Sequence, residues 1–153
     1  LPWQLAIVGD GAARAEVEAL MAPLGEDRVR FLGRRETDEL PELLSTADLF
    51  VWPAVREAYG MAILEAQAAG LPVIAGDAGG VAEIVRHGIT GLLTPEGNVA
   101  AFADAIAGLL GDPARRKVMG GAARITVANE HSLEAAAAAL DDIVTTAQQR
   151  RAA

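Results

Sequence analysis

Short apolar runs alternate along the chain with segments whose apolar residues recur every three or four positions. Five runs have strand length and are rich in Val, Ile or Leu: residues 5–8, 29–32, 49–52, 73–75 and the weaker 91–93. Runs of this kind, with little polar alternation, suit strands covered on both faces. Between the first two, Val17, Leu20, Met21 and Leu24 mark one face of a helix, so a βαβ unit is predicted. Between the second and third lies a helix around 40–47, where Pro41 fits only in the first turn. Between the third and fourth, the Ala-rich segment 61–69 is closed by Gly70-Leu71-Pro72, a left-handed stop followed by a residue that cannot continue a helix.

Past Pro95 the pattern becomes helical only. Asn98 is the expected cap of a helix that buries Val99, Phe102, Ile106, Leu109 and Leu110 and ends at Gly111. Asp112-Pro113 reads as cap and first-turn proline of the next helix. Ser132 caps a last one with Leu133, Ala136, Leu140, Ile143 and Val144 turned inward, and the tail 148–153 is expected to fray. The expected fold is α/β: one Rossmann-like parallel sheet of about five strands, flanked by helices, with a helical C-terminal extension.

Composition narrows the partners. At 153 residues the chain has the length of a single domain able to bury its own core. Cysteine is absent, which rules out disulfides and thiolate metal sites and is compatible with a reducing cytoplasm. A net charge of −8 repels a phosphate backbone, so nucleic acid is not an expected partner. No apolar run approaches the ~18 residues of a membrane span. Leu1-Pro2-Trp3 shows neither an initiator Met nor a basic-then-apolar leader, and the chain is expected to be excised from something longer. His87 and His131 have no His, Asp or Glu neighbours at metal-ligand spacing. They read as surface or cap residues, and no protein-built metal site is expected.

In a doubly wound sheet, ligands bind beyond the carboxyl ends of the strands. Three segments are expected there. Val8-Gly9-Asp10-Gly11 follows the first strand. Gly9 lets backbone approach a phosphate or simply makes a tight strand-to-helix turn, and the third glycine of a dinucleotide fingerprint is lacking. The second segment, 53–65, runs through a loop into the 61–69 helix. Gly60 leaves room at a helix start whose amides near Met61, Ala62 and Ile63 can receive a diphosphate, helped by a dipole of roughly +0.5 charge. Glu57 precedes that helix, and Glu65, on its second turn, can lean back toward the same mouth. Carboxylates accept hydrogen bonds but repel phosphate, so the pair suits hydroxyl-rich groups on either side of the phosphates, a ribose and a sugar. The third segment, 77–83, has paired glycines that bring backbone close to a ligand or to a neighbouring loop. Trp3, Trp52 and Tyr59 read as core or rim residues, with Tyr59 also able to pack on a ligand.

The stretch PAVREAYGMAILEAQAAGLPVIAGDAGGVAEIVRHGITGLL, with Glu57 and Glu65 separated by seven residues, resembles the family-4-type retaining glycosyltransferases of the GT-B fold. VGDGAAR, RVRFLGR and ADLFVWP fall in that family's order, so the resemblance spans about the whole chain. It implies that residues 1–153 are the C-terminal, donor-binding half of a GT-B fold. The N-terminal acceptor domain, and the first strand and helix of this half with their diphosphate-binding Arg and Lys, would lie outside the chain. It further implies transfer of a sugar from a UDP-, GDP- or ADP-sugar with retention and without an essential metal, the isolated fragment being inactive. Glu57 would face the donor sugar near the reacting carbon as the catalytic residue, and Glu65 would accept from the ribose hydroxyls. Gly60, Met61 and Ala62 would meet the diphosphate, Gly9 would approach the ligand, and Gly33 with Arg34 would lie near the base, unless Arg34 and Arg35 are only a solvated pair. The acceptor, a sugar, lipid or small molecule, would be held by the missing domain. A cytoplasmic place is implied, with a peripheral position at the inner membrane face open to the full-length parent. Two other classes stand beside this one. A dinucleotide-binding oxidoreductase would need an acid after the second strand, where Gly33-Arg34-Arg35 stands. A non-catalytic α/β interaction module would leave both glutamates as surface acids.

Overall fold

The computed structural model describes residues 1–152, with side chains through Arg150. The chain divides into two units, Leu1–Thr46 and Ala47–Ala153. The first contains β1 (Leu5–Val8), α1 (Arg14–Met21), a 3-10 turn (Ala22–Leu24), β2 (Val29–Gly33) and α2 (Leu40–Ser45). The second contains β3 (Phe50–Trp52), α3 (Met61–Ala68), β4 (Val73–Asp77), α4 (Val81–Ile84), β5 (Gly91–Pro95), α5 (Val99–Leu110), α6 (Pro113–Glu130) and α7 (Leu133–Ala152). Every strand expected from the apolar runs is present, and every pairing is parallel.

Each unit has its own ladder. The strands make a two-stranded ladder, β1-β2, and a three-stranded ladder, β3-β4-β5. Apolar runs mark where strands are but carry nothing about which edges pair, so the count was legible and the partition was not. The ladders also differ in cover. In β4, Val73, Ile74 and Ala75 are all fully buried, as a doubly covered strand should be. In β1 burial alternates, with Ala6 and Val8 exposed, so that strand is covered on one face only.

The second unit's core centres on Ile74, Leu109 and Met119, against which Leu49, Val51, Leu92, Phe102, Ala105 and Ile106 pack. Its helix ends follow the expected chemistry. Asn98 Oδ1 accepts from the Ala101 amide at 3.0 Å and Asp112 Oδ1 from the Arg115 amide at 2.9 Å. Ser132 Oγ accepts from the Ala135 amide at 3.1 Å, and Pro113 and Pro41 both lie in first turns. After α3 the Leu71 amide bonds the Ala66 carbonyl at 3.0 Å and the Gly70 amide the Gln67 carbonyl at 2.9 Å, the paired bonds of a Schellman stop. Arg116 Nη1 donates to the Leu109 and Leu110 carbonyls at 2.6 and 2.8 Å, closing the end of α5.

Three expectations about the helices need correction. Val99 is 81% exposed, because the first turn of α5 lies beyond the core that receives Phe102, Ile106 and Leu109. The apolar stripe of α7 faces outward, with Leu133 86% and Ile143 66% exposed. Helical periodicity identifies an apolar face without supplying anything to cover it. Residues 148–152 continue α7 instead of fraying, and residue 153 lies outside the described residues.

Two adjacent glycines in α6 differ in surroundings. A β-carbon on Gly120 would collide with the Gly70 carbonyl oxygen, whereas one on Gly121 meets nothing within 4 Å. Gly120→Ala should therefore destabilise by about 1–3 kcal/mol through overpacking. Gly121→Ala should stabilise by roughly 0.5–1 kcal/mol through helix propensity. Urea denaturation of the two variants checks the pair, and shifts of the same sign would contradict the packing described.

Candidate functional site

The carboxyl end of β3 delivers Trp52 to the rim of the second unit, and the loop 53–60 carries the chain from there into α3. Of its apolar side chains only Ala54 is buried, while Val55 and Tyr59 are exposed, so backbone contacts must hold the loop. They are built on glycine. A β-carbon on Gly79 would coincide with the Glu57 carbonyl oxygen, one on Gly80 would stand 2.7 Å from the Ala58 oxygen, and one on Gly76 2.5 Å from the Ala54 oxygen. The 76–80 segment thus takes the 53–60 loop into a groove that only missing side chains leave open. Of the two roles expected for the paired glycines, approach to a neighbouring loop is the one the structure displays.

Two further contacts set the loop. Arg56 adopts a left-handed backbone, φ 55°, and its amide donates to Glu96 Oε1 at 3.2 Å. Glu57 is half-buried. Its Oε2 accepts from the Trp52 indole Nε1 at 3.1 Å and its Oε1 from the Tyr59 amide at 3.3 Å. From the sequence Trp52 reads only as a core or rim residue, and Glu96 carries no signal. Trp52 had only its position in the apolar run ADLFVW, and Glu96 stands 40 residues from its partner Arg56.

Gly60 is buried, with φ 97°, a left-handed backbone that favours glycine, and a β-carbon there would press on the Ile63 side chain. The Gly60 carbonyl accepts from the Ile63 amide at 2.9 Å, so Ile63 is not one of the available donors. Among the described residues, the amides of Gly60, Met61 and Ala62 have no protein acceptor, leaving the first turn of α3 with unspent donors and the positive end of its dipole. Met61 and Glu65, four residues apart, lie on the exposed stripe of α3, while Ile63, Ala66 and Gln67 form its buried side. Gln67 anchors that side, donating to Thr90 Oγ1 at 3.1 Å. Glu57, Gly60, Met61, Ala62 and Glu65 therefore all belong to one loop and one helix of the second unit.

Gly9, Gly33 and Arg34 belong to the first unit. The Gly9 amide donates to the Gly33 carbonyl at 2.8 Å across the β1-β2 ladder, and the Gly11 amide to Asp10 Oδ1 at 2.8 Å within the turn, so both of these donors are spent. Arg34 is exposed. Arg14, which the sequence presented only as part of VGDGAAR, bonds Glu18 at 2.8 Å and Asp10 at 3.3 Å and lies beside Gly33. The hydrogen bond and charge of Glu18, then Asp10, raise the Arg14 pKa above its ordinary value, keeping it a cation. His87 is structural: its Nδ1 accepts from the Leu93 amide at 3.1 Å. His131 caps the end of α6.

Residues 1–126 match the family model described as "Glycosyl transferases group 1". The chain belongs to that family. Among the group 1 glycosyl transferases it is 40% identical over 148 residues to a GDP-mannose-dependent alpha-(1-6)-phosphatidylinositol monomannoside mannosyltransferase of Mycobacterium tuberculosis. That match covers 92% of this chain and 38% of the relative. It is 34% identical to the sucrose-phosphate synthase of Thermosynechococcus elongatus, with a TM-score of 0.84 over 98% of this chain and 39% of that one. Anabaena HepE, solved with UDP-glucose, gives a TM-score of 0.82 at 28% identity over 94% of this chain and 41% of that one. The chain thus spans about two fifths of the length of these proteins. The fold expected from the sequence, the α/β half of a GT-B architecture, holds, and family membership leaves the oxidoreductase alternative without support.

The glycine groove makes the loop's placement testable. Gly79→Ala inserts a methyl group where the Glu57 carbonyl lies, at a left-handed φ of 54°. It should destabilise by about 1–3 kcal/mol. A guanidinium chloride midpoint equal to that of the unaltered protein would contradict the groove.

Proposed function

We propose that this chain is the donor-binding half of a retaining, family-4-type glycosyltransferase that moves a sugar from a nucleoside diphosphate to an acceptor held by a further domain. The observation that carries the reading is the mouth of α3, where the unspent amides of Gly60, Met61 and Ala62 lie between Glu57 and Glu65 along the chain. Those amides receive the diphosphate. Glu57 accepts from hydroxyls of the donor sugar near the reacting carbon, and Glu65 accepts from the ribose. As the glycosidic bond breaks, negative charge grows on the diphosphate, and preoriented N–H donors stabilise that state more than the ground state. Each such donor is worth ~3 kcal/mol of barrier in comparable sites, and in this reading no metal is essential.

The donor class draws support from the relatives. One is named for GDP-mannose and another is solved with UDP-glucose, so a nucleoside-diphosphate hexose is the shared chemistry while base and sugar differ. The mycobacterial relative's name specifies a phosphatidylinositol-linked acceptor, which suits a cytoplasmic enzyme peripheral to the inner membrane face. No helix among the described residues is long and apolar enough to cross a membrane.

Calorimetric titration of the full-length enzyme with UDP-, GDP- and ADP-sugars and with NAD should show binding to one of the first three and none to NAD. Glu65→Ala should weaken donor binding about tenfold or more, the loss of one or two hydrogen bonds to a charged group. Glu57→Ala should lower kcat by a larger factor than it changes donor Kd. Unaltered kinetics in both variants would favour a non-catalytic interaction module.

In this reading a further domain closes over the donor, so the 153 residues on their own would leave water in the site. They should bind nucleotide weakly and show less than about a thousandth of the full-length turnover, consistent with the loss of several transition-state contacts. Transfer at full-length rates would refute the division of labour proposed.

A further inference from the structure

We propose that Trp52 is a positioning residue for the Glu57 carboxylate, its indole N–H setting the plane in which Glu57 meets the donor sugar. The inference rests on the reading of Glu57 given above. Trp52 is the last residue of β3, and its ring stacks on that of Phe50, with centroids 6.0 Å apart and planes 14° from parallel. The indole is therefore fixed by the strand and by a neighbouring ring before it reaches the loop. From there Nε1 donates to Glu57 Oε2 at 3.1 Å, while the Tyr59 amide donates to Oε1 at 3.3 Å. One donor comes from the rigid strand and one from the loop itself, and together they hold both oxygens of one carboxylate.

This arrangement has a chemical consequence. Each carboxylate oxygen has two acceptor directions, and one on each is already used. The remaining directions are fixed in space and accept only, so the groups they can meet on a ligand are hydroxyls or N–H groups in matching positions. An amide at position 57 cannot satisfy the same frame. Whichever way it is turned, its NH2 faces either the indole N–H or the Tyr59 N–H, donor against donor. Glu57→Gln is thus a disruptive change here, and the disruption depends on Trp52. With the indole N–H removed, the amide can turn its NH2 toward the vacated side and keep its oxygen on the Tyr59 amide.

The test uses Trp52→Phe, which keeps a ring on Phe50 and deletes the donor, in the full-length enzyme with a UDP- or GDP-hexose donor. We expect kcat to fall about ten- to a hundredfold, the loss of one hydrogen bond to a charged group, with donor KM changed less than about threefold. Glu57→Gln alone should cost as much as Glu57→Ala. Added to Trp52→Phe it should cost about tenfold less than when added to the unaltered enzyme. A second measurement needs no change at Trp52. The chain has two tryptophans, so the indole N–H signals of the 15N-labelled 153-residue protein are assigned by Trp3→Phe, and the Trp52 signal should move on Glu57→Ala. Turnover of Trp52→Phe within twofold of the unaltered enzyme, equal costs of Glu57→Gln in both backgrounds, or an indole signal indifferent to Glu57→Ala would each overturn the proposal while leaving Glu57 as the sugar's partner. Full turnover in Glu57→Ala would overturn that reading as well.

Discussion

A carbonyl oxygen standing where a β-carbon would otherwise be, that of Glu57 against Gly79, is the contact on which the rim of the second unit depends. Gly76 and Gly80 extend it, so the 53–60 loop is held backbone to backbone along the 76–80 segment. Loops lie on surfaces because their polar backbone groups need partners, and they are mobile when few apolar contacts tie them down. Here closeness substitutes for apolar burial. The position of Glu57 then follows from β4 and from the turn after it, the most deeply buried strand of the unit, rather than from the loop's own composition.

That placement has a local cost. Arg56 sits at φ 55°, a conformation that costs a non-glycine residue roughly 1–2 kcal/mol. The Glu96 carboxylate accepts from its amide, a bond that favours this backbone conformation. Immediately after it the Glu57 carboxylate is held by Trp52 and the Tyr59 amide, and Gly60 turns left-handed into α3. Strained backbone persists where surrounding structure over-determines it, and it gathers where side chains must be aimed. The four residues from Arg56 through Tyr59 show how: one distant carboxylate, one strand-borne indole and two glycines fix a segment that has no regular structure of its own.

The sequence carried much of this in readable form, and the boundary of what it carried is physical. Strands were legible because buried strands are short, apolar and β-branched. Caps were legible because Asn98, Asp112 and Ser132 each offer a side-chain oxygen to an amide three residues on, a local relation that needs no knowledge of the fold. The stop at Gly70 was legible for the same reason. The exposure of Leu133, Leu140 and Ile143 was not, since a periodic stripe states a preference for cover and nothing about its supply. Nor was the pairing of strands into two ladders. At the candidate site, Glu57, Gly60 and Glu65 stood out by type and spacing. Trp52 and Glu96 did not, because an indole at the end of an apolar run and a glutamate in a turn acquire meaning only when tertiary structure brings them to the loop. The excess of one donor at Ile63 was likewise invisible, because the tightening of the first turn onto the Gly60 carbonyl is set by the left-handed backbone there.

A chain of net charge −8 is at first sight a poor host for a diphosphate. The long-range repulsion, however, is screened beyond about 8 Å at physiological ionic strength, so what decides is the shell of groups within that distance. Several of the chain's cations are committed elsewhere: Arg14 to Glu18 and Asp10, Arg35 to Glu39, Arg86 to Glu130, and Arg116 to the end of α5 and Asp48. The first turn of α3 offers neutral donors instead. Neutral amides fixed by a helix need no reorganisation when charge develops before them, and unlike a flexible ammonium they lose no side-chain entropy in doing so. They also attract an anion without attracting the two glutamates into ion pairs, which leaves both carboxylates able to accept from hydroxyls. The anion site proposed at the backbone of α3 is therefore compatible with an acidic chain, provided the helix start is held in place, and the glycine groove under Glu57 holds the loop leading to it.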